Sequence, residues 1–285
     1  MFTDRFDLRS FAVCALCFSF PAAAGSVQAD DAATYRTLAK EHAPALVTVK
    51  FLLRMESQYG KRESENEITG IMIDPKGLIL CANSRLGGAR RGGSVTPLDM
   101  KILIGDDIEG IPAKVLARDT ELDLAWVKIK DPGDRTFRFI DLSKSAQPQV
   151  GDKILALRRM AKFFDRTPVV SDGRIAGHAR KPRELLIPSG LTLEPGQPVF
   201  AENGKLVGVV VLQLPEDDEI EANPTAFMAM RQDILSGLIL PTAQIASATE
   251  RAKLSTEEDE DDEEDENDGT PDAPSKPASN DDEDD

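Results

Sequence analysis

Turn-forming residues cut the middle of this chain into short apolar runs, and that punctuation limits what it can fold into. Runs 45–55, 68–73, 78–82, 100–104, 112–117 and 124–129 have strand composition. A second set follows at 153–157, 167–170, 174–176, 184–187, 198–200, 206–212 and 226–230. Asp74-Pro75-Lys76-Gly77 separates two of the runs and Glu202-Asn203-Gly204-Lys205 separates two others. Both are strong turn signals, the second of the hairpin kind. Many short strands at regular spacing predict an all-β barrel or sandwich. A short helix is expected over 34–42 ahead of the first strand, and a closing helix over 232–240.

Three segments carry more than a fold class. Residues 68–86 read ITGIMIDPKGLILCANSRL, residues 119–129 read DTELDLAWVKI, and residues 194–208 read EPGQPVFAENGKLVG. Together they resemble the trypsin-like, HtrA-type serine proteases, in which the corresponding stretches contain T-N-N-H-V, T-D-L-A-V-L-K-I and G-N-S-G-G-P-L. Val150-Gly151-Asp152, Ser171-Asp172-Gly173-Arg174-Ile175 and the segment 224–230 resemble further anchors of the same family. The resemblance covers about residues 40–240. It implies two six-stranded Greek-key barrels, at about 45–140 and 145–240, with the old cleft between them. The PDZ domain that usually follows has no room in the remaining 45 residues or so.

Aligned this way, the catalytic letters are overwritten. Ser84 stands at the histidine position and Asp123 matches the aspartate; an ungapped alignment from Pro198 puts Pro195 where the nucleophile belongs, and a gapped one deletes the serine altogether. Serine cannot serve as general base near neutral pH, and proline has no nucleophilic atom. Loss of the base or nucleophile costs about 10⁶-fold in a related triad. Proline at 195 also lacks the N–H that such a loop offers to a developing oxyanion, although Gly196 remains. The two histidines, His42 and His178, align with neither role. Ser189 opens a Ser-Gly turn and Thr192 sits in no motif. No catalytic residue is therefore expected to function.

Basic residues gather in segments that should border the former cleft. Arg85 follows the old histidine position, Arg90 and Arg91 lie in a glycine-flanked loop, and Arg158, Arg159, Lys162 and Arg166 occupy the loop after Leu157. Loops on a rigid β-scaffold commonly carry binding function, and arginine suits planar anions. These residues form a candidate basic groove for protein or peptide segments, the chain's own acidic tail among the candidates. The plain alternative is a set of dispersed, solvated arginines.

Charge is distributed unevenly. The chain has 50 acidic and 34 basic residues, a net charge of −16, yet residues 255–285 alone hold 17 acids and one lysine. The body is thus neutral, which argues against nucleic-acid binding. No aromatic or large aliphatic residue follows Leu254. The segment 246–285 is expected to be a disordered acidic tail, because it cannot bury enough apolar surface. Its acids lack the spacing of a calcium loop, with Ser275 where a bidentate glutamate would be needed. Neither a metal nor another cofactor is expected.

An apolar run from Phe11 to Phe20 followed by Val27-Gln28-Ala29 meets the pattern of a secretory signal cleaved near Ala29. Export to a periplasmic or extracellular space is the expectation. Past that point only Cys81 remains, too few for an intramolecular disulfide. No other stretch is apolar enough for a transmembrane helix. Three functions fit the sequence: an exported pseudoprotease that binds peptide, an active endopeptidase with relocated catalytic groups, and an electrostatic tail on a passive barrel.

Overall fold

The computed structural model describes residues 26–57, 60–87, 94–214, 222, 223, 225, 228 and 237–265. Helix α1 (Ser26–His42) leads into β1 (Leu46–Ser57), β2 (Gly60–Met72), β3 (Leu78–Ala82), β4 (Ser94–Leu103), β5 (Ile111–Asp119) and β6 (Leu124–Ile129). These close an antiparallel barrel in the order β1-β2-β3-β6-β5-β4. Strands β7 (Lys153–Arg159), β8 (Pro168–Ala179), β9 (Leu185–Ser189), β10 (Pro198–Ala201), β11 (Leu206–Val211) and β12 (Leu238–Pro241) close a second barrel with the same winding. Closure removes the unpaired edges that an open sheet would present. The fold class expected from the sequence is therefore present: two six-stranded Greek-key barrels.

Local chemistry explains the strand ends. Between β2 and β3 the Gly77 N–H donates to the Asp74 carbonyl at 3.2 Å, and the Lys76 N–H reaches the Asp74 carboxylate at 2.6 Å. Gly77 sits at φ +89°, a conformation that disfavours any side chain. The β10–β11 hairpin closes with the Lys205 N–H on the Asn203 side chain at 3.1 Å. The segment joining the barrels is tied to both. Ile140 N–H donates to Met72 carbonyl at 2.8 Å, and Ala146 N–H to Leu206 carbonyl at 2.8 Å.

Two details differ from the sequence expectation. The sixth strand of the second barrel is β12, where the sequence predicted the end of a helix over 232–240. Leu238, Ile239 and Leu240 pair with Val211, Val210 and Val209, so cross-strand burial overrides local propensity. The expected strand 226–230 lies outside the described residues except for Met228. The runs 167–170 and 174–176 are both parts of β8.

The chain after β12 is also not a tail from residue 246. Helix α2 spans Thr242–Asp265, and its first half is docked. Ile245, Ala248 and Ala252 are buried, at helical spacing, against the first barrel and β11. Thr249 Oγ1 accepts a hydrogen bond from Trp126 Nε1 at 3.0 Å. Small residues lay this helix close to the barrel, so its apolar face carries little of the bulk that a sequence pattern registers. Residues 266–285 lie outside the described residues. No described helix is long and apolar enough to cross a membrane.

Trp126 is the only tryptophan, so its fluorescence reports this docking. Ala248→Glu is expected to undock α2 and shift the emission to longer wavelength. Thr249→Val leaves a buried indole N–H without its acceptor, and urea denaturation should show a loss of about 1–3 kcal/mol.

Candidate functional site

The two barrels meet at Asp123. It sits in the turn between β5 and β6 with φ +56°, a left-handed conformation that aspartate tolerates better than most residues. Only 4 % of it is exposed. Its carboxylate accepts three hydrogen bonds: from Ser84 N–H at 2.6 Å, from Ser84 Oγ at 3.0 Å and from Leu212 N–H at 2.8 Å. Ser84 follows β3 and Leu212 follows β11, so this one side chain joins both barrels. Burial pushes the Asp123 carboxyl up, and the three hydrogen bonds oppose that rise.

Across the cleft, Glu194-Pro195-Gly196-Gln197 forms a turn closed by Gln197 N–H on the Glu194 carbonyl at 3.1 Å. Proline second and glycine third, with Gly196 at φ +91°, is the pattern of a type II turn. The remaining amides are also committed. Glu194 N–H donates to Gln197 Oε1 at 3.1 Å, and Gly196 N–H to the Val210 carbonyl at 2.8 Å. Proline has no N–H to give. From Glu194 to Gln197 no backbone donor is left for an oxyanion. A Cβ on Gly196 would lie 3.4 Å from the Ala82 nitrogen, which puts this turn against the chain two residues before Ser84.

The histidines are elsewhere. His42 ends α1 and stacks on Phe200 with ring centroids 4.5 Å apart; burial pulls its imidazole down. His178 is exposed and belongs to β8. Cys81 is fully buried, and burial pushes its thiol up to about 12, which makes it unreactive. Among the described residues no cluster of histidine, cysteine and carboxylate side chains is placed to hold a metal.

Beside the Pro195 turn lies a cavity of 310 Å³ whose lining includes Arg85, Arg158, Arg159, Arg166, Glu67 and Glu194. The sequence-predicted basic residues thus separate into groups. Arg85 is exposed, Arg158 is half-buried, and neither has an ion-pair partner among the described residues. Arg159 is structural: it donates to the carbonyls of Leu46 at 2.9 Å, Ala43 at 2.8 Å and Arg166 at 3.1 Å. Lys162 is exposed on a 3₁₀ turn and does not line the cavity. Arg90 and Arg91 lie outside the described residues. Glu67 and the exposed pair Phe163 and Phe164 escaped the sequence reading. Two adjacent aromatics in a basic loop were the available signal for the latter.

Residues 68–209 match the family described as trypsin-like peptidase domain. The solved structure of Deg5 is similar over 76% of this chain and 92% of that chain, at 15% identity and a TM-score of 0.54. This is a trypsin-like peptidase fold. The MamO protease domain from Magnetospirillum magneticum aligns over 73% of this chain and 97% of that chain, at 15% identity and a TM-score of 0.47. No curated protein matches the chain. Within the trypsin-like fold, the geometry supplies Asp123 with a serine to orient and supplies no general base at position 84.

The sign of the Asp123 shift is testable. The folded chain holds this proton more tightly than the unfolded chain. This carboxyl therefore contributes most to stability below the ordinary aspartate value of about 3.9, and the contribution is lost as pH rises through the folded value. Ser84→Ala removes a hydrogen bond to the charged form. It should raise the folded value further, read by carboxyl-carbon NMR titration, and deepen the loss of stability with pH relative to wild type.

Proposed function

We propose that this protein is a pseudoprotease that holds polypeptide segments in the cleft between its barrels without cleaving them. The observation that carries the reading is the Glu194–Gln197 turn. Its proline replaces the nucleophile, and its amide donors are all committed inside the protein. The other half of the site supports the same reading, because Ser84 donates to Asp123 at 3.0 Å and has no base of its own. A peptide carbonyl placed here meets no activated nucleophile and no free backbone donor from Glu194 to Gln197. Electrostatic stabilisation and nucleophilic attack are both removed, and each is worth orders of magnitude.

What remains is a two-barrel cleft of the kind that receives an extended chain, bordered by arginines. The reading includes export. The apolar run from Phe11 to Phe20, the small residues before Asp30 and the presence of only Cys81 past Ala29 support it.

The test is an assay of the purified full chain with an unfolded casein substrate and a phosphonate probe of serine nucleophiles. No turnover and no label are expected. Restoring histidine alone, as Ser84→His, should also give no turnover, because the nucleophile stays absent. A labelled serine or threonine in the wild type overturns the reading and identifies a relocated nucleophile.

A further inference from the structure

We infer that the cavity beside the Pro195 turn binds the carboxylate of an acidic residue in another protein's peptide segment, next to an apolar residue of the same segment. The inference rests on the non-cleaving reading of the cleft and names its ligand.

The cavity is built by residues that are fixed before any ligand arrives. Arg159 is anchored by three backbone carbonyls and so ties the loop after β7 to the start of the first barrel. Asp165 and Arg166 follow at φ +54° and +49°. Two consecutive left-handed residues with side chains are strained, and such strain persists only where surrounding structure enforces it. The effect is to bury Arg166 at 6 % exposure in the cavity wall. There its Nη2 contacts both Glu67 oxygens, at 3.0 and 3.2 Å. Its Nε is buried without a partner.

The charges do not balance. Four guanidinium groups line the cavity against the carboxylates of Glu67 and Glu194. Glu67 is paired with Arg166, and Arg159 commits three of its five N–H donors to carbonyls, while among the described residues Arg85 and Arg158 have no ion-pair partner. Two guanidinium groups over a partly enclosed space favour a planar anion that accepts paired hydrogen bonds.

The apolar half of the ligand follows from the adjacent loop. Phe164 lines the same cavity and is 52 % exposed; Phe163 packs edge-on against it at 5.0 Å and is 87 % exposed. Exposed aromatics beside a charged cavity call for an apolar neighbour to the acid. The chain's own residues 255–285 offer carboxylates but no aromatic or large aliphatic side chain. They satisfy half of the site, which favours a segment from a different protein.

The probe is a dye-labelled acidic heptapeptide with one central leucine, followed by fluorescence anisotropy on the full chain. Its partner probe has every acid replaced by the amide. Binding of the acidic peptide alone is expected, weakening with salt. Arg85→Glu and Arg158→Glu should each reduce affinity by about tenfold or more. Both residues are at least partly exposed, so unchanged denaturation midpoints will show that the fold is intact. Phe164→Ala should weaken the leucine peptide but not an all-acidic one. Equal binding of the acid and amide peptides, or indifference to both charge reversals, overturns the site. A second chain, with the acids after residue 265 changed to amides, locates the source of the carboxylate. Binding only by that chain would assign the cavity to the chain's own tail and overturn the external partner. Cleavage of the peptide would sink the non-cleaving reading while leaving the arginine dependence of binding to be judged on its own.

Discussion

The buried carboxylate of Asp123 is the contact on which the rest of this structure depends. It gathers two donors from the end of β3 and one from the end of β11, so each barrel is bonded to the same side chain. A carboxylate this buried is stable only when its lone pairs are satisfied. Its three donors therefore restrict how the barrels can be set against each other. In an active triad the aspartate orients a histidine. Here Asp123 joins the barrels and accepts from Ser84 and Leu212.

The turn on the other side of the cleft follows from local rules as well. Proline and glycine in the middle of Glu194–Gln197 select a turn whose amides face inward to Val210, Gln197 and Glu194. This makes the loop a self-contained structural unit. The backbone still passes against Ala82, so the walls of the cleft remain, but its donors are closed off. The arginines nearby have also diverged in role. Arg159 and Arg166 hold the loop after β7 in place, and this leaves Arg85 and Arg158 facing the cavity.

Helix α2 shows how an extended acidic segment can begin inside the fold. Its first half covers the barrel through Ile245, Ala248 and Ala252, and Thr249 satisfies the indole of Trp126. The acid-rich residues begin only after this docked face is complete, at Glu257. The helix therefore fixes where the negative charge leaves the body of the protein.

Strand positions and the Asp74–Gly77 and Glu202–Lys205 turns were legible in the sequence, because each depends on residue type and short spacing; Ser84 and Asp123 were matched to one site by resemblance, and the structure brings them within hydrogen-bond distance. Pairing across the chain was less legible. β12 was read as helical because a short apolar run has no distinctive period, and only its partner β11 makes it a strand. The docked half of α2 was missed because alanine and threonine face the barrel, where closeness of approach matters more than side-chain bulk. Among the basic residues, the sequence alone determined that arginines would be concentrated near the cleft. Only the tertiary structure decided which of them is bound to carbonyls, which is paired with Glu67 and which has no ion-pair partner among the described residues. That division depends on partners up to 116 residues away along the chain, which no local pattern encodes.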